Sequence, residues 1–154
     1  IIEEGDLFII DTGSVFDSYY CDFDRNYAFG SISEKAKKAY RVTYEATEAG
    51  FKAAQVGNTT SDIFNAMNNV LQKGGALGNT VGRLGHGLGM QLTEWPSNTA
   101  SDNTVLEPGV VLTLEPGMAF LPGKEMVHEE NIVITEDGPE WLSIRAAEEL
   151  PIIQ

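Results

Sequence analysis

Residues 7–13 read Leu-Phe-Ile-Ile-Asp-Thr-Gly, a short apolar run of strand-forming residues that ends on a carboxylate and a glycine. A run of this kind, preceded by Gly5-Asp6, is typical of a buried strand, with Asp11 at its end. A second stretch over 15–29 continues in the same way, and Gly13-Ser14 is a plausible turn between the two. We therefore predict that the chain opens with an antiparallel pair of strands.

Two helices are predicted after this pair. The first begins in Ser31-Ile32-Ser33-Glu34, which has the spacing of a capping box, and ends near Gly57. The second begins at Thr60 and stops at Gly74-Gly75. Strand patterns then resume at 110–114, 118–121 and 132–135, followed by a turn at 136–138. A sheet, a helix pair and a second sheet make an α+β domain.

The composition limits the class of protein. The chain has 154 residues, with 10 Lys+Arg against 23 Asp+Glu and a formal net charge of −13, and this length suits one domain. The acidity argues against a nucleic-acid partner, because phosphate contacts need clustered basic residues. No run approaches the roughly 18–20 apolar residues of a membrane span. A single cysteine, Cys21, indicates a reducing compartment, so we expect a cytoplasmic protein without a membrane partner.

Few residues could carry nucleophilic catalysis. The chain has two histidines and one cysteine, and it contains no Gly-x-Ser-x-Gly elbow. Cys21 is followed by Asp22, whose negative charge disfavours a thiolate. Serine and cysteine nucleophiles are therefore both poor candidates.

Carboxylates beside apolar strands point to another chemistry. Asp11 and Asp22 lie on the opening strands, Glu115 closes a later strand, and Glu129-Glu130 precede the last one. A buried carboxylate must protonate, pair with a base or hold a cation, and 10 basic residues cannot pair with 23 acids. Four carboxylates and His86 would be balanced by two divalent cations, and such an oxygen-rich set suits Mn, Fe, Co or Zn.

The candidate ligands lie in four motifs, separated by 11, 64, 29 and 14 residues from one ligand to the next. The motifs are Phe8-Ile9-Ile10-Asp11-Thr12-Gly13 with Asp22-Phe23-Asp24-Arg25, then Gly85-His86-Gly87-Leu88-Gly89, then Thr113-Leu114-Glu115-Pro116-Gly117, then Glu129-Glu130-Asn131 with Thr135-Glu136-Asp137-Gly138. Over nearly the whole chain they resemble the pita-bread metallopeptidases of peptidase family M24. This superfamily includes prolidase, aminopeptidase P, methionine aminopeptidase and creatinase, and the spacings match its prolidase-like branch.

The resemblance implies a pita-bread fold, mostly antiparallel sheet with flanking helices, and two divalent metal ions, with Mn ahead of Co, Zn or Fe. By this resemblance Asp11 chelates one metal, Asp22 and Glu129 bridge both, and His86 and Glu115 complete the shell of the other. Glu115 is also the expected proton shuttle from the attacking water to the leaving amine. The implied activity is hydrolysis of Xaa-Pro dipeptides, or removal of an N-terminal residue before proline, with a peptide or another small molecule as the substrate.

Three positions depart from the family pattern. Thr93 stands seven residues after His86, where relatives usually have a histidine that contacts the substrate, so Thr93 is the expected substrate-binding residue. Asp24 stands where Thr or Ser is commoner, and it either adds a carboxylate near the metals or pairs with Arg25. Val127 replaces an arginine. The missing histidine keeps two alternatives open: a creatinase-like hydrolase or small-zwitterion lyase, and a catalytically inactive binding module of the same fold.

The start of the chain suggests a longer protein. Ile1 is not a start methionine, and the helical segment and early strands that open the family's catalytic domain have no counterpart here. We therefore interpret residues 1–154 as the C-terminal portion of that domain, incomplete at its N-terminus. A homodimer is one candidate assembly of the full-length protein.

Other residues receive structural interpretations. We expect Glu130 to be solvated or to lie behind the ligands, and His128 to be at the surface or to face the substrate. Trp95-Pro96 either lines a substrate pocket or packs in a loop. Core positions are expected at Tyr40, Tyr44 and Phe51 on the first helix, and Asp17 is expected in a turn.

Overall fold

A long antiparallel hairpin opens the computed structural model, which describes residues 1–78 and 82–154. Strand β1 (Leu7–Phe16) pairs along its whole length with β2 (Tyr19–Phe29). The turn consists of Asp17 and Ser18, whose φ angles of 49° and 72° are both positive, as in the primed turns that join two-residue hairpins. The predicted pair of strands is therefore confirmed.

The turn predicted at Gly13-Ser14 is wrong, because both residues lie inside β1 and Asp11 is in the middle of that strand. Gly13 allows close contact between two strands instead of forming a turn. It is the cross-strand partner of Asp22, and a Cβ atom at this position would collide with the backbone carbonyl of Cys21. The glycine permits close approach of two strands, and a turn signal in the sequence cannot be distinguished from that role.

Helix α1 (Glu34–Ala53) begins after Ser33, whose side chain accepts a hydrogen bond from the Ala36 backbone N–H at 3.2 Å. The cap is thus Ser33 rather than Ser31 of the predicted capping box. Helix α2 (Thr60–Gly74) starts and stops as predicted, and its capping box is formed by Thr59 and Asp62. Neither helix is long and apolar enough to cross a membrane, and none of the described residues forms another that is.

Eight further strands follow. Five of them form an antiparallel sheet in the order β4-β3-β5-β8-β9, and β6 and β7 form a separate hairpin, while β10 adds in parallel to β2. Their bounds are β3 His86–Gly87, β4 Glu94–Ser97, β5 Val111–Leu114, β6 Gly117–Leu121, β7 Lys124–Val127, β8 Glu130–Thr135, β9 Gly138–Trp141 and β10 Ile152–Ile153. The three strands expected in this half are present as β5, β6 and β8, and the other five described strands were not predicted from sequence.

The core lies between the two helices and the strands β5 to β8. Its largest fully buried apolar side chains come from α2, from β5, β7 and β8 and from two loops, whereas α1 adds the smaller Ala39, Val42 and Ala46. The large side chains are Ile63, Met67, Leu71, Leu84, Leu106, Leu112, Leu114, Met126, Ile132 and Ile134. As expected, Tyr40 is buried, and Phe51 stacks on Trp141 with ring centroids 3.9 Å apart. His128 also belongs to this interior. It is 1% exposed and meets the ring of Tyr40 edge-on at 4.5 Å, so the expectation of a surface or substrate-facing His128 is wrong.

Candidate metal centre

The buried face of β2 is polar. Asp22, Asp24 and Asn26 alternate along the strand with less buried neighbours, and side chains two residues apart point to the same side of a strand. Asp11 of β1 is the cross-strand partner of Asp24, so it faces the same side as Asp24. The hairpin thus brings three carboxylates to one surface.

His86 lies on β3, between β4 and β5. Its neighbours Gly85 and Gly87 allow this position, because a Cβ atom on Gly85 would collide with the Thr113 carbonyl and one on Gly87 with that of Trp95. The ring Nδ1 is 2.9 Å from the Gly87 carbonyl oxygen. A carbonyl can accept a hydrogen bond but not donate one, so Nδ1 carries the proton and Nε2 presents a lone pair.

Three carboxylates surround this lone pair. The Nε2 atom lies 3.7 Å from Glu129 Oε1, 3.8 Å from Asp22 Oδ2 and 4.0 Å from Glu115 Oε2. These separations are too long for hydrogen bonds. They are close to the distances of about 3 to 4 Å that separate two ligand atoms bound roughly 2.0–2.2 Å from one ion.

The ionisation of these groups reflects their burial. Burial lowers the pKa of His86, which keeps the imidazole neutral. Burial, reinforced by the charges of Glu115 and Asp22, raises the pKa of Glu129 to about 9, and burial likewise raises the pKa of Asp22 and Glu115. The protein alone therefore disfavours the charged carboxylates that it has placed together.

Among the carboxylate oxygens that are fully buried in the described residues, Glu115 Oε2 and Glu129 Oε1 have no hydrogen-bond partner. Both lie near the lone pair of His86. A neutral imidazole nitrogen and unsatisfied carboxylate oxygens form a donor set that suits a divalent cation. The residues present thus fit the metal ions that the sequence predicts.

The ligand atoms fall into two overlapping groups. One atom each from Asp22, His86 and Glu129 lie within 4.8 Å of one another, and so do carboxylate oxygens of Asp11, Asp24 and Glu129. Glu115 approaches the first group through His86. The structure therefore brings all five predicted ligands to one region, with Glu129 common to both groups, and it adds Asp24.

Two residues without an assigned role hold the ligands in place. Asn131 of β8 accepts a hydrogen bond from the Asp22 backbone N–H at 3.0 Å and donates one to the Asp22 carbonyl. The Thr113 hydroxyl accepts from the His86 backbone N–H at 3.1 Å and hydrogen-bonds the Glu129 carboxylate. Both residues occur in the quoted motifs, but their contacts span up to 109 residues of sequence, which spacing alone cannot reveal.

Glu130 has a structural role: of the two alternatives, a solvated Glu130 is wrong and a Glu130 that lies behind the ligands is confirmed. It is fully buried and forms an ion pair with Arg25 at 3.0 Å. The same guanidinium donates to the backbone carbonyl of Glu129 at 2.9 Å. Arg25 therefore ties β2 to the segment that carries Glu129, and no ion pair joins it to the Asp24 side chain among the described residues.

The exposed side of the centre is an open cleft lined by residues of the hairpin and by Leu92, with Asp11 and Asp22 in its wall. Thr93, the predicted substrate-binding residue, is the next residue after Leu92, and it is exposed just before β4. No contact in the described residues links its side chain to the ligand groups. Trp95 is 75% exposed and borders a neighbouring cleft. Trp95 and Pro96 lie on β4 rather than in a loop, and a role for them in a substrate pocket stays a prediction.

Known proteins are similar to this chain in sequence and in fold. The model of "Metallopeptidase family M24" matches residues 1–137. An Xaa-Pro dipeptidase of Pyrococcus furiosus is 34% identical over 143 residues, which make up 92% of this chain and 41% of the relative. The crystal structure of a dipeptidase from Pyrococcus horikoshii has a TM-score of 0.92 at 32% identity and covers 99% of this chain and 42% of that one. An X-Pro aminopeptidase from Thermotoga maritima gives a TM-score of 0.89 at 29% identity, over 99% of this chain and 43% of the other.

The chain spans about two fifths of the length of these relatives. Their structures have the pita-bread fold, and the predicted α+β pita-bread architecture is therefore confirmed. The family match also supports divalent metal ions as the species that the carboxylate and histidine side chains bind. This chain belongs to metallopeptidase family M24.

Proposed function

We propose that the protein carrying this chain is a metal-dependent peptidase that hydrolyses Xaa-Pro dipeptides or removes an N-terminal residue before proline. The observation that carries the proposal is the neutral His86 imidazole, whose Nε2 lies within 4.0 Å of three carboxylates. The relatives named above include an Xaa-Pro dipeptidase and an X-Pro aminopeptidase. Since the chain spans two fifths of their length, we propose that residues 1–154 are the C-terminal portion of the catalytic domain.

Two divalent cations are the proposed cofactor, with Mn ahead of Co, Zn or Fe. The ligands would be the five residues that the sequence predicts: Asp11, Asp22, His86, Glu115 and Glu129. Bound divalent cations would supply an acidified water and a polarised scissile carbonyl. Glu129 belongs to both groups of ligand atoms, which supports the proposal that it would be a ligand of both ions.

Glu115 is the proposed proton carrier. Its Oε2 atom is buried, accepts no hydrogen bond from the described residues and lies 4.0 Å from His86 Nε2. Burial raises the pKa of this carboxyl, and the positive charge of Arg83 opposes that shift. A carboxylate tuned in this way can accept a proton from the attacking water at Oε2 and return it to the leaving amine.

Substrate contacts would come from the rim of the cleft. Thr93 is exposed beside Leu92, which lines the cleft together with Asp11 and Asp22. We propose that the Thr93 hydroxyl contacts the substrate where relatives have a histidine. A hydroxyl can donate one hydrogen bond but cannot carry a positive charge, so substrate binding through Thr93 would not depend on protonation of this residue.

The test uses the full-length protein with Mn, Co, Zn or Fe and a panel of peptides. Leu-Pro is compared with Leu-Pro-Ala to separate a dipeptidase from an aminopeptidase, and with Leu-Ala to test for proline. We expect turnover of a proline peptide with at least one ion. Asp22→Asn should lower both turnover and metal uptake, whereas Asp17→Asn, which removes an equal charge from the exposed turn, should leave both unchanged.

Each negative result has a distinct meaning. Absence of turnover with any ion, while about two ions bind per chain, would contradict the peptidase and favour a creatinase-like hydrolase or lyase. Absence of metal from the wild-type protein would favour an inactive binding module. The assembly state, by light scattering, and the cellular location, by fractionation, test the proposed homodimer and cytoplasmic placement separately.

A further inference from the structure

Asp24 is a buried carboxylate to which neither the fold nor the five-ligand set assigns a role. Its residue is 5% exposed. Among residues 1–78 and 82–154 its carboxylate accepts no hydrogen bond and forms no ion pair. A buried charged group without a partner is costly, so a residue of this kind indicates a missing counter-ion.

The neighbouring cation is not available to it. The Arg25 guanidinium is engaged on the other side of the strand, where it hydrogen-bonds the backbone carbonyls of Asp24 and Glu129 and the Glu130 carboxylate. Adjacent residues of a strand point to opposite faces. The alternative that Asp24 pairs with Arg25 is therefore excluded for the side chain, and Asp24 faces the metal centre instead.

The partners of Asp24 on that face are further carboxylates. Asp11 is directly opposite it across the hairpin, and one oxygen from each of Asp11, Asp24 and Glu129 lie within 4.8 Å of one another. Glu129 is 2% exposed, and its Oε1 has no hydrogen-bond partner. The Asp24 carboxylate, which has no partner, and the unpaired Oε1 atom of Glu129 thus converge with the Asp11 carboxylate on one point.

We infer that Asp24 is a sixth protein ligand of the metal centre, and that the all-carboxylate position it shares with Asp11 and Glu129 is shifted towards a hard divalent cation such as Mn²⁺, relative to a position that includes imidazole. The inference rests on the proposed function in one respect, that the centre holds metal ions. Carboxylate oxygens suit Mg, Ca and Mn, whereas imidazole suits Zn, Cu, Fe and Ni. The second position includes His86, so the two positions differ in the ions that they prefer.

The experiment measures metal binding by the full-length protein after metal has been stripped with a chelator. Mn²⁺ is titrated and followed by electron paramagnetic resonance, and metal content is measured after equilibration with equimolar Mn²⁺ and Zn²⁺. Asp24→Asn keeps the shape of the side chain and removes its charge. Asp24→Thr supplies the residue type that is commoner at this position in the family, and Asp17→Asn removes an equal charge from the exposed hairpin turn.

We expect Asp24→Asn and Asp24→Thr to weaken Mn²⁺ binding at one of two positions by roughly 10-fold or more, since loss of an outer-shell partner already costs roughly 10–100-fold. Both variants should take up more Zn²⁺ from the mixture than wild type. Asp17→Asn should bind metal as the wild type does. Asp22→Asn should weaken metal binding at the position that contains His86.

Thermal unfolding gives a readout that a merely structural role of Asp24 would not produce. Removal of an unpaired buried charge should raise the Tm of the metal-free protein and reduce the rise in Tm that Mn²⁺ causes. A structural acid would lower the Tm in both conditions.

Unchanged Mn²⁺ affinity and an unchanged Mn²⁺-induced rise in Tm in both Asp24 variants would overturn the inference and leave the proposed function intact. Absence of metal binding by the wild type would overturn both.

Discussion

Strands β1 and β8 both border the candidate metal centre, and both are apolar in sequence, but they differ in burial. All residues of β1 after Leu7 are exposed, including Ile9 at 36% and Phe16 at 86%. In β8, Ile132 and Glu130 are both 0% exposed. An apolar pattern thus predicts a strand in both places, but whether the strand is covered depends on its place in the sheet. β1 is an edge strand and β8 lies between two others.

This difference extends to the ligands. Glu129, directly before β8, is fixed by Thr113 and by Arg25, and it is buried. Asp11 lies on β1, which pairs with β2 alone. The centre therefore combines a rigid, buried half with a half carried by an edge strand, and the following predictions test that division.

The largest effect is expected from the neighbouring acids Glu129 and Glu130. Glu129→Gln should lower kcat/KM by about 1000-fold or more, because a ligand common to both groups is lost, while metal-free stability is unchanged or higher. Glu130→Gln should instead lower the free energy of unfolding by about 3–5 kcal/mol, because it breaks a buried ion pair with Arg25. Kinetics and urea unfolding measure the two effects. Similar stability losses in both variants would contradict the division of roles.

The second prediction concerns pH. Burial raises the pKa of Glu129 from 4.5 to about 9 and that of Asp24 from 3.8 to about 7. Between the ordinary and raised values the folded protein holds protons that the unfolded chain has released, so metal-free stability should fall by several kcal/mol as pH rises towards 9. Bound cations favour the charged carboxylates and should remove this fall.

Urea unfolding from pH 6.5 to 9, with EDTA or with Mn²⁺, measures the pH effect. The range begins at 6.5 because a different group acts below it. Burial lowers the pKa of His128 from 6.5 to about 3. As the pH falls below 6.5, His128 therefore takes up a proton in the unfolded chain before it does so in the folded protein, and the free energy of unfolding falls. A flat metal-free profile above pH 6.5 would show that the buried acids do not oppose folding.

Two isoleucines compare the strands directly. Ile132→Ala in β8 should cost about 2–5 kcal/mol, because it opens a cavity in the core. Ile9→Ala in β1 should cost less than about 1 kcal/mol in the 154-residue chain, where Ile9 is 36% exposed. Chemical unfolding of both variants measures the difference. A larger cost for Ile9→Ala in the full-length protein would indicate that further residues cover β1.

A smaller loss of stability than that of Ile132→Ala is expected at the connection between the two regions. Asn131→Ala should cost about 1–2 kcal/mol, because it leaves the backbone N–H and carbonyl of Asp22 without their partner. Metal affinity should fall by roughly 10–100-fold as the position of Asp22 loosens. The exposed Asn69 supplies the matched control, Asn69→Ala. Calorimetric titration with Mn²⁺ that gave equal affinities for both variants would exclude a positioning role for Asn131.

Sequence reasoning succeeded where the signal is local or periodic. The limits of α2 follow from a capping residue and from paired glycines, and the spacing of four acids and a histidine led to residues that the fold brings together. It was wrong about a turn at Gly13-Ser14 and right about a turn at Asp17, but it did not predict that Asp17 and Ser18 adopt the left-handed backbone of a two-residue hairpin turn. The two-residue strand at His86 is too short to have a period.

The supporting residues were beyond sequence reasoning for a different reason. The roles of Asn131 and Glu130 depend on contacts with β2 that are more than 100 residues distant. A buried Glu130 and a solvated one have the same local sequence. The ligand set can therefore be predicted from a resemblance, whereas the scaffold that holds it requires the three-dimensional structure.

The two tryptophans give this protein separate optical reporters for the cleft and the core. Trp95 is 75% exposed beside a cleft, whereas Trp141 is stacked on Phe51 with the Arg145 guanidinium 4.1 Å from its ring centroid. Acrylamide in solution reaches Trp95 readily and Trp141 poorly, so the quenched part of the fluorescence reports on the cleft rim. The remaining emission follows the packing of α1 on β9, and occupancy of the cleft and integrity of the fold can be monitored in one sample.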